Sequence, residues 1–95
     1  MRRVLWSETA KKDIQNIYDY IAEDSIFYAD KFADELIEKA DNIALFPNAG
    51  RIVPEIGKEE IREVFYQSYR VMYQITDKYI SITQVSHMAQ NLMIL

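Results

Sequence analysis

A chain of 95 residues forms a single domain, 1–95, and at this size about 60–65% of the unfolded surface can be buried, enough for one modest core. Hydrophobic residues at 49% and charged residues at 27% suit a soluble globular protein, and the absence of cysteine excludes disulfides and thiolate metal sites. The formal net charge of −4 is unevenly placed, six basic and ten acidic groups in residues 1–50 against five of each in 51–95, so no basic stripe exists to hold nucleic acid by its phosphates.

The opening MRRVLWSETA carries a basic pair but not the long apolar run of a signal peptide, and no segment reaches the length of a membrane span. A cytoplasmic location with no membrane partner is expected. Arg2 to Trp6 predicts a short strand. Ser7 can then cap a helix running to about Glu23, with Glu8 favourable at the positive end of its dipole. Ala10, Ile14, Ile17, Tyr18 and Ile21 recur at helical spacing and form its apolar face. Asp24 and Ser25 break that pattern and begin a second helix, Ser25 to about Phe46. There Ala29, Phe32, Ala33, Leu36, Ile37, Ala40, Ile43 and Ala44 make a continuous stripe, Glu35 stands at pairing distance from Lys39, and Pro47 stops the helix. Helices joined by so few residues form an antiparallel hairpin.

After Asn48, Ala49 and Gly50 the period changes to two. Arg51–Val53 predicts a short strand ending at Pro54. Ile61–Tyr66, Tyr69–Ile75 and Tyr79–His87 predict three more, turning at Gln67-Ser68 and Asp77-Lys78. Val85 is out of phase with Ile80 and Ile82, which predicts a bulge near Thr83 or Gln84. The expected fold is α+β: a two-layer sandwich, β-α-α-β-β-β-β, with the helical hairpin packed on an antiparallel sheet.

Polar side chains interrupt this apolar pattern at Arg51, Glu55, Arg62, Arg70 and His87, the last being the chain's one histidine. RNA cleavage by a 2′-hydroxyl needs a proton acceptor, a cation for the phosphorane charge and a proton donor for the leaving oxygen, and Glu55, Arg70 and His87 could serve in that order. The meander could bring all three to one side of the sheet. Taken singly, each has a plainer reading. Arg70 and Arg62 can form cross-strand ion pairs, Arg70 with the strand that bears Glu63. His87 can be a hydrogen-bonded structural residue, Glu55 a solvated carboxylate, and Tyr69 and Tyr73 packing aromatics. A lone histidine without further ligands makes no metal site, and the chain has no phosphate-cradling glycine loop or nucleophile elbow. No metal and no cofactor are expected.

The element order, with Leu45-Phe46-Pro47…Gly50-Arg51, Val53-Pro54-Glu55, Ile61-Arg62-Glu63, Tyr69-Arg70-Val71-Met72-Tyr73 and Val85-Ser86-His87, resembles the RelE/ParE superfamily of toxins from type II toxin–antitoxin modules, the ParE (plasmid-stabilisation) branch most closely. The resemblance implies that the first and last strands lie side by side. It implies a cognate antitoxin as partner, with a toxin–antitoxin heterotetramer among the assemblies it allows. In the ParE branch the target is DNA gyrase, inhibited by binding; in the RelE branch the ribosome and its mRNA, which is cut. Glu55, Arg70 and His87 look like the residues of YoeB-type ribosome-dependent nucleases, but Met88 stands where those enzymes carry a tyrosine. ParE-like chains commonly follow the histidine with a small residue and arginine, where this chain has Met88-Ala89-Gln90. From Tyr79 to Leu95 there is no Lys, Arg, Asp or Glu.

The expectation is therefore a binding toxin, with Arg51, Arg62, Arg70 and His87 on its functional surface and Ile14, Tyr18, Ile21, Phe32 and Leu36 receiving the antitoxin. The alternatives are a ribosome-dependent endoribonuclease using Glu55, Arg70 and His87, or an attenuated toxin that only binds its antitoxin. The apolar terminus Leu92–Leu95 is a further expected docking surface.

Overall fold

Ser7 caps the first helix where the sequence places it, its Oγ accepting from Ala10 N at 3.0 Å, and Ser25 does the same for the second through Tyr28 N at 3.2 Å. The computed structural model describes residues 2–88, in the order β1 (Arg3–Trp6), α1 (Glu8–Ala22), α2 (Ile26–Ile43), a 3-10 turn (Pro47–Ala49), β2 (Arg51–Ile52), β3 (Ile61–Tyr66), β4 (Tyr69–Ile75) and β5 (Tyr79–His87). The second helix ends three residues before Phe46. Ala44, Leu45 and Phe46 donate to the carbonyls three residues back, tightening the chain, and Phe46 must leave helical geometry before Pro47.

Both helices lie on one face of a five-stranded sheet ordered β1-β5-β4-β3-β2. The last four strands form an antiparallel meander, while β1 runs parallel to β5 with Val4 opposite Ile80, so the sheet is mixed, not wholly antiparallel. First and last strands are thus neighbours. The core joins Ala10, Phe32, Leu36, Ala40 and Ile43 of the helices to Val71, Tyr73, Ile80, Ile82 and Val85 of the sheet. Among the described residues no helix is long and apolar enough to cross a membrane. Glu35 of α2 accepts from the Tyr66 hydroxyl on β3.

The bulge falls at Thr83. Met72 opposes Gln84 but Tyr73 opposes Ile82, so Thr83 has no opposite residue in the ladder, and its hydroxyl donates to Met72 O at 3.2 Å. Helix α1 fastens the irregular stretch. Ser7 N donates to Ile82 O at 2.9 Å, Ser7 Oγ to Thr83 O at 3.0 Å, and Val85 N to Asp13 Oδ2 at 2.9 Å. Backbone groups that the ladder would otherwise satisfy find partners on the helix instead.

Leu36 is fully buried in this core. Replacing it by Ala lowers the unfolding free energy by about 2–5 kcal/mol in urea denaturation; a loss under about 0.5 kcal/mol would place Leu36 outside the core. Burial, together with donation to Glu35, pushes the Tyr66 hydroxyl up to about 12. A phenol whose folded value is raised holds its proton after the unfolded chain has released it. Stability from this group is therefore complete below about pH 10 and is lost as pH rises towards about 12. Site-resolved NMR titration should find Tyr66 still protonated at pH 11, and Tyr66→Phe should flatten the alkaline slope.

Candidate functional site

Strand alternation assigns each side chain of the predicted site to a face. Glu63 opposes Met72, and Phe65 opposes Arg70, so Glu63 and Arg70 lie diagonally on the face away from the helices. Glu63 is buried, and so is Arg70, which donates to it through Nε at 2.9 Å and again through Nη2. The same Nη2 lies 3.2 Å from Glu55 Oε2. Arg51, directly opposite Glu63 on β2, donates from Nε to the other carboxylate oxygen at 2.5 Å and stacks its guanidinium over Phe65 at 5.1 Å. Two cations and two carboxylates thus form one neutral cluster. Burial alone would lower the pKa of Arg70, but its hydrogen bonds to Glu63 and Glu55 outweigh this and raise it.

Arg62 has a different task. It opposes Tyr73 and turns to the loop before β2, donating to Gly50 O at 2.9 Å, Asn48 O at 3.3 Å and Glu59 O at 2.9 Å. The buried Tyr73 hydroxyl donates to Pro47 O at 2.6 Å and accepts from Gly50 N at 3.1 Å. Position 50 admits only glycine, since a Cβ there would lie 2.4 Å from that hydroxyl and 2.7 Å from the Glu63 carbonyl. The plainer reading of Arg62 was a cross-strand ion pair, and backbone carbonyls take the place of its carboxylate.

His87 lies on the opposite side of the sheet from Arg70. It opposes Tyr69, whose ring it meets edge-on at 5.3 Å, and Tyr69 in turn packs on Phe32 of α2 at 5.0 Å. Arg70 is the next residue along β4 and therefore points the other way. The expectation that Glu55, Arg70 and His87 meet on one side is corrected. Glu55 and Arg70 meet, and His87 stands among the helix-side residues. The cause is the Thr83 bulge, which turns Val85 and His87 to the face that Ile80 and Ile82 occupy.

Two of the five expected antitoxin contacts need the same treatment. Phe32 and Leu36 are 3% and 0% exposed, so these two residues of the α2 stripe are core and offer nothing to a partner in the folded chain. Ile14, Tyr18 and Ile21 are half-buried, and the Tyr18 hydroxyl donates to Asp30 at 2.6 Å. Large apolar side chains do reach solvent elsewhere, at Tyr20, Ile26, Phe27 and Tyr28 around the hairpin turn, at Ile37, and at Leu45 and Phe46 after α2. A nearly apolar groove of about 290 Å³ lies between Trp6, Lys11, Ile14 and Ile37. A second, half-polar groove of about 480 Å³ runs beside α1, where Asp13, Asn16 and Tyr20 face Tyr69, Ser86 and His87. Helical spacing marks Ile37 but leaves the other exposed residues unmarked. Leu92–Leu95 and Ala89-Gln90 lie outside the described residues. Among the described residues no three His, Cys, Asp or Glu side chains are grouped to hold a metal ion.

Breaking the buried pair is costly because an uncompensated charge remains out of water. Glu63→Leu should destabilise the domain by about 3–5 kcal/mol, whereas Glu63→Leu with Arg70→Met should recover much of that loss. Equal chemical-denaturation midpoints for the single and double variants would show that the pair is not what Glu63 supplies.

Comparison with known proteins agrees with this geometry. Residues 4–92 match the model of the family described as ParE toxin of type II toxin–antitoxin system, parDE. The chain is 30% identical over 90 residues to Toxin RelE2 of Caulobacter vibrioides, covering 95% of this chain and 99% of that one. In fold it is similar to a chain of the chromosomal ParDE system of P. aeruginosa, with a TM-score of 0.74 at 20% identity over 92% of this chain and 96% of that one. It is more distantly similar to a chain of the E. coli DinJ-YafQ complex, with a TM-score of 0.55 at 14% identity over 94% and 96%. This chain belongs to the ParE toxin family of type II toxin–antitoxin systems, within the RelE/ParE superfamily.

Proposed function

We propose that this toxin acts by binding, with DNA gyrase as its target, and that a cognate antitoxin neutralises it by covering the helical hairpin. One observation carries the choice between binding and RNA cleavage. Each arginine of the candidate site is held by an acceptor within the chain, Arg70 and Arg51 by carboxylates and Arg62 by carbonyls. A scissile phosphate needs cations that face it, and here it would compete with two glutamates already in place. The separation of His87 from Arg70 across the sheet adds to this, because a general acid must reach the same phosphate as the cation. Membership of the ParE family supports gyrase as the target class.

Family membership likewise supports the antitoxin, since the solved relatives include a ParDE system and a DinJ-YafQ complex. The hairpin suits such a partner. Asp30, Asp34, Glu38 and Asp41 are all exposed along α2, and the apolar groove of Trp6, Ile14 and Ile37 lies alongside. A segment with basic residues and apolar anchors complements that surface.

Purified toxin should inhibit DNA supercoiling by gyrase and leave ribosome-bound mRNA intact. His87→Ala should leave that inhibition within a few-fold of the parent. Cleavage of ribosome-bound mRNA that His87→Ala reduces by about 10²–10⁴-fold, in a domain that stays folded, would instead establish the nuclease.

A further inference from the structure

The half-polar groove beside α1 has a chemistry of its own. Asp13, Asn16 and Tyr20 stand three and four residues apart, on one face of the helix, a face distinct from the one that turns Tyr18 towards Asp30 of α2. Asp13 is aimed: Val85 N donates to its Oδ2 at 2.9 Å, which holds the carboxylate in place while leaving most of its acceptor capacity unused. Tyr20 is 71% exposed at the rim and Tyr69 forms part of the wall. The volume of about 480 Å³ lies within the range of side-chain and ligand pockets.

Several occupants are disfavoured by this lining. Its lining contains no Lys or Arg, so a phosphate or carboxylate would meet Asp13 with only the His87 imidazole to set against it. A divalent ion would find too few hard ligands, and a purely apolar anchor would strip water from Asp13 and Asn16 without replacing their hydrogen bonds. A planar cation fits on both counts. Its N–H fork can donate to the fixed carboxylate and the Asn16 amide oxygen, and its face can lie on a tyrosine ring.

We propose that this groove receives an arginine side chain of the cognate antitoxin. The inference rests on the antitoxin reading above and adds the anchoring residue and its pocket. Charge favours this occupant over others, because the two helices and their flanks hold ten acidic against six basic groups, so a segment laid on them gains from being basic. Arginine is favoured over lysine, whose compact ammonium cannot bridge Asp13 and Asn16 while stacking on a ring.

The test uses the full toxin and the product of the adjacent antitoxin gene, with the dissociation constant measured by calorimetry. Asp13→Asn removes the charge but keeps an oxygen to accept from Val85 N, and Tyr20→Ala trims an exposed ring. Each should weaken the complex by about tenfold or more at an unchanged melting temperature. One arginine of the antitoxin, changed to lysine, should cost a similar factor, and adding Asp13→Asn to that variant should cost little more. Parental affinity in both toxin variants, or the absence of any antitoxin arginine coupled to Asp13, would overturn the proposal while leaving the antitoxin reading intact. If Asp13→Asn unfolds the domain, Tyr20→Ala decides alone. Failure of the parent toxin to bind the antitoxin at all would remove the antitoxin reading and the pocket with it.

Discussion

A carboxylate with no exposed surface sits in the middle of this sheet, and the arrangement of its far face follows from it. Glu63 is 1% exposed, and an ion so placed forgoes several kcal/mol of hydration unless the protein supplies partners. Arg70 comes from β4 and Arg51 from β2, one for each carboxylate oxygen, so a single side chain ties three adjacent strands together. Arg70 extends the link to Glu55 and so fastens the loop between β2 and β3. With helices on one side only, such a sheet leaves its other face to water. Here the ion cluster occupies that face, where Met72 is buried as well, and Val53 at the start of the loop is buried too. The arrangement also disposes of the cations, since what binds Glu63 is not free to bind a phosphate.

Much of the fold was legible because its signals are local. Capping serines, the apolar stripe of α2, Pro47 and the two-residue alternation of β3 and β4 each follow from the geometry of one element. The adjacency of β1 and β5 has no local signal and came from the resemblance alone, and that they run parallel was not foreseen. The site was less legible, and β5 shows why. Within an unbroken strand, His87 would share a face with Ser81 and lie opposite Ile80 and Ile82, beside Arg70. One extra residue at Thr83 reverses that phase. The misfit of Val85 announces the bulge, but its consequence two residues later appears only once the strand is set against β4.

The helices teach a related lesson. A periodic stripe identifies residues that are buried against something, without saying whether that is the chain's own sheet or a partner. On α2 the sheet takes Phe32 and Leu36 completely. What remains for a partner is marked by the absence of periodicity: Ile26, Phe27 and Tyr28 are consecutive and cannot all face a core, so some must be exposed, and in the fold all three are. Their neighbour Tyr20 lies across the hairpin turn. Alternation placed Arg70 beside the strand that bears Glu63, and the two do pair, but it gives no sign that both are buried or that Arg51 and Glu55 join them.

The three arginines together indicate what kind of surface this toxin presents. Guanidinium groups recognise phosphates when their forks point outward with no acceptor before them. Arg70 and Arg51 point at Glu63, and Arg62 points at the carbonyls of Asn48 and Gly50, where it acts with the Tyr73 hydroxyl to hold the turn that follows α2. That turn carries Leu45 and Phe46 at its entrance, 55% and 70% exposed on a backbone fixed from below. Large apolar side chains held out on a rigid frame lose little conformational freedom when a protein covers them, which is the economy that protein interfaces exploit. Arg62 and Arg70 therefore work inward, one holding a loop and the other the buried Glu63, while Arg51 stays half-exposed and Lys58 and Lys78 face solvent. The outward surface carries charged groups of both signs together with large aromatic and aliphatic side chains, and the latter are the kind that protein interfaces bury.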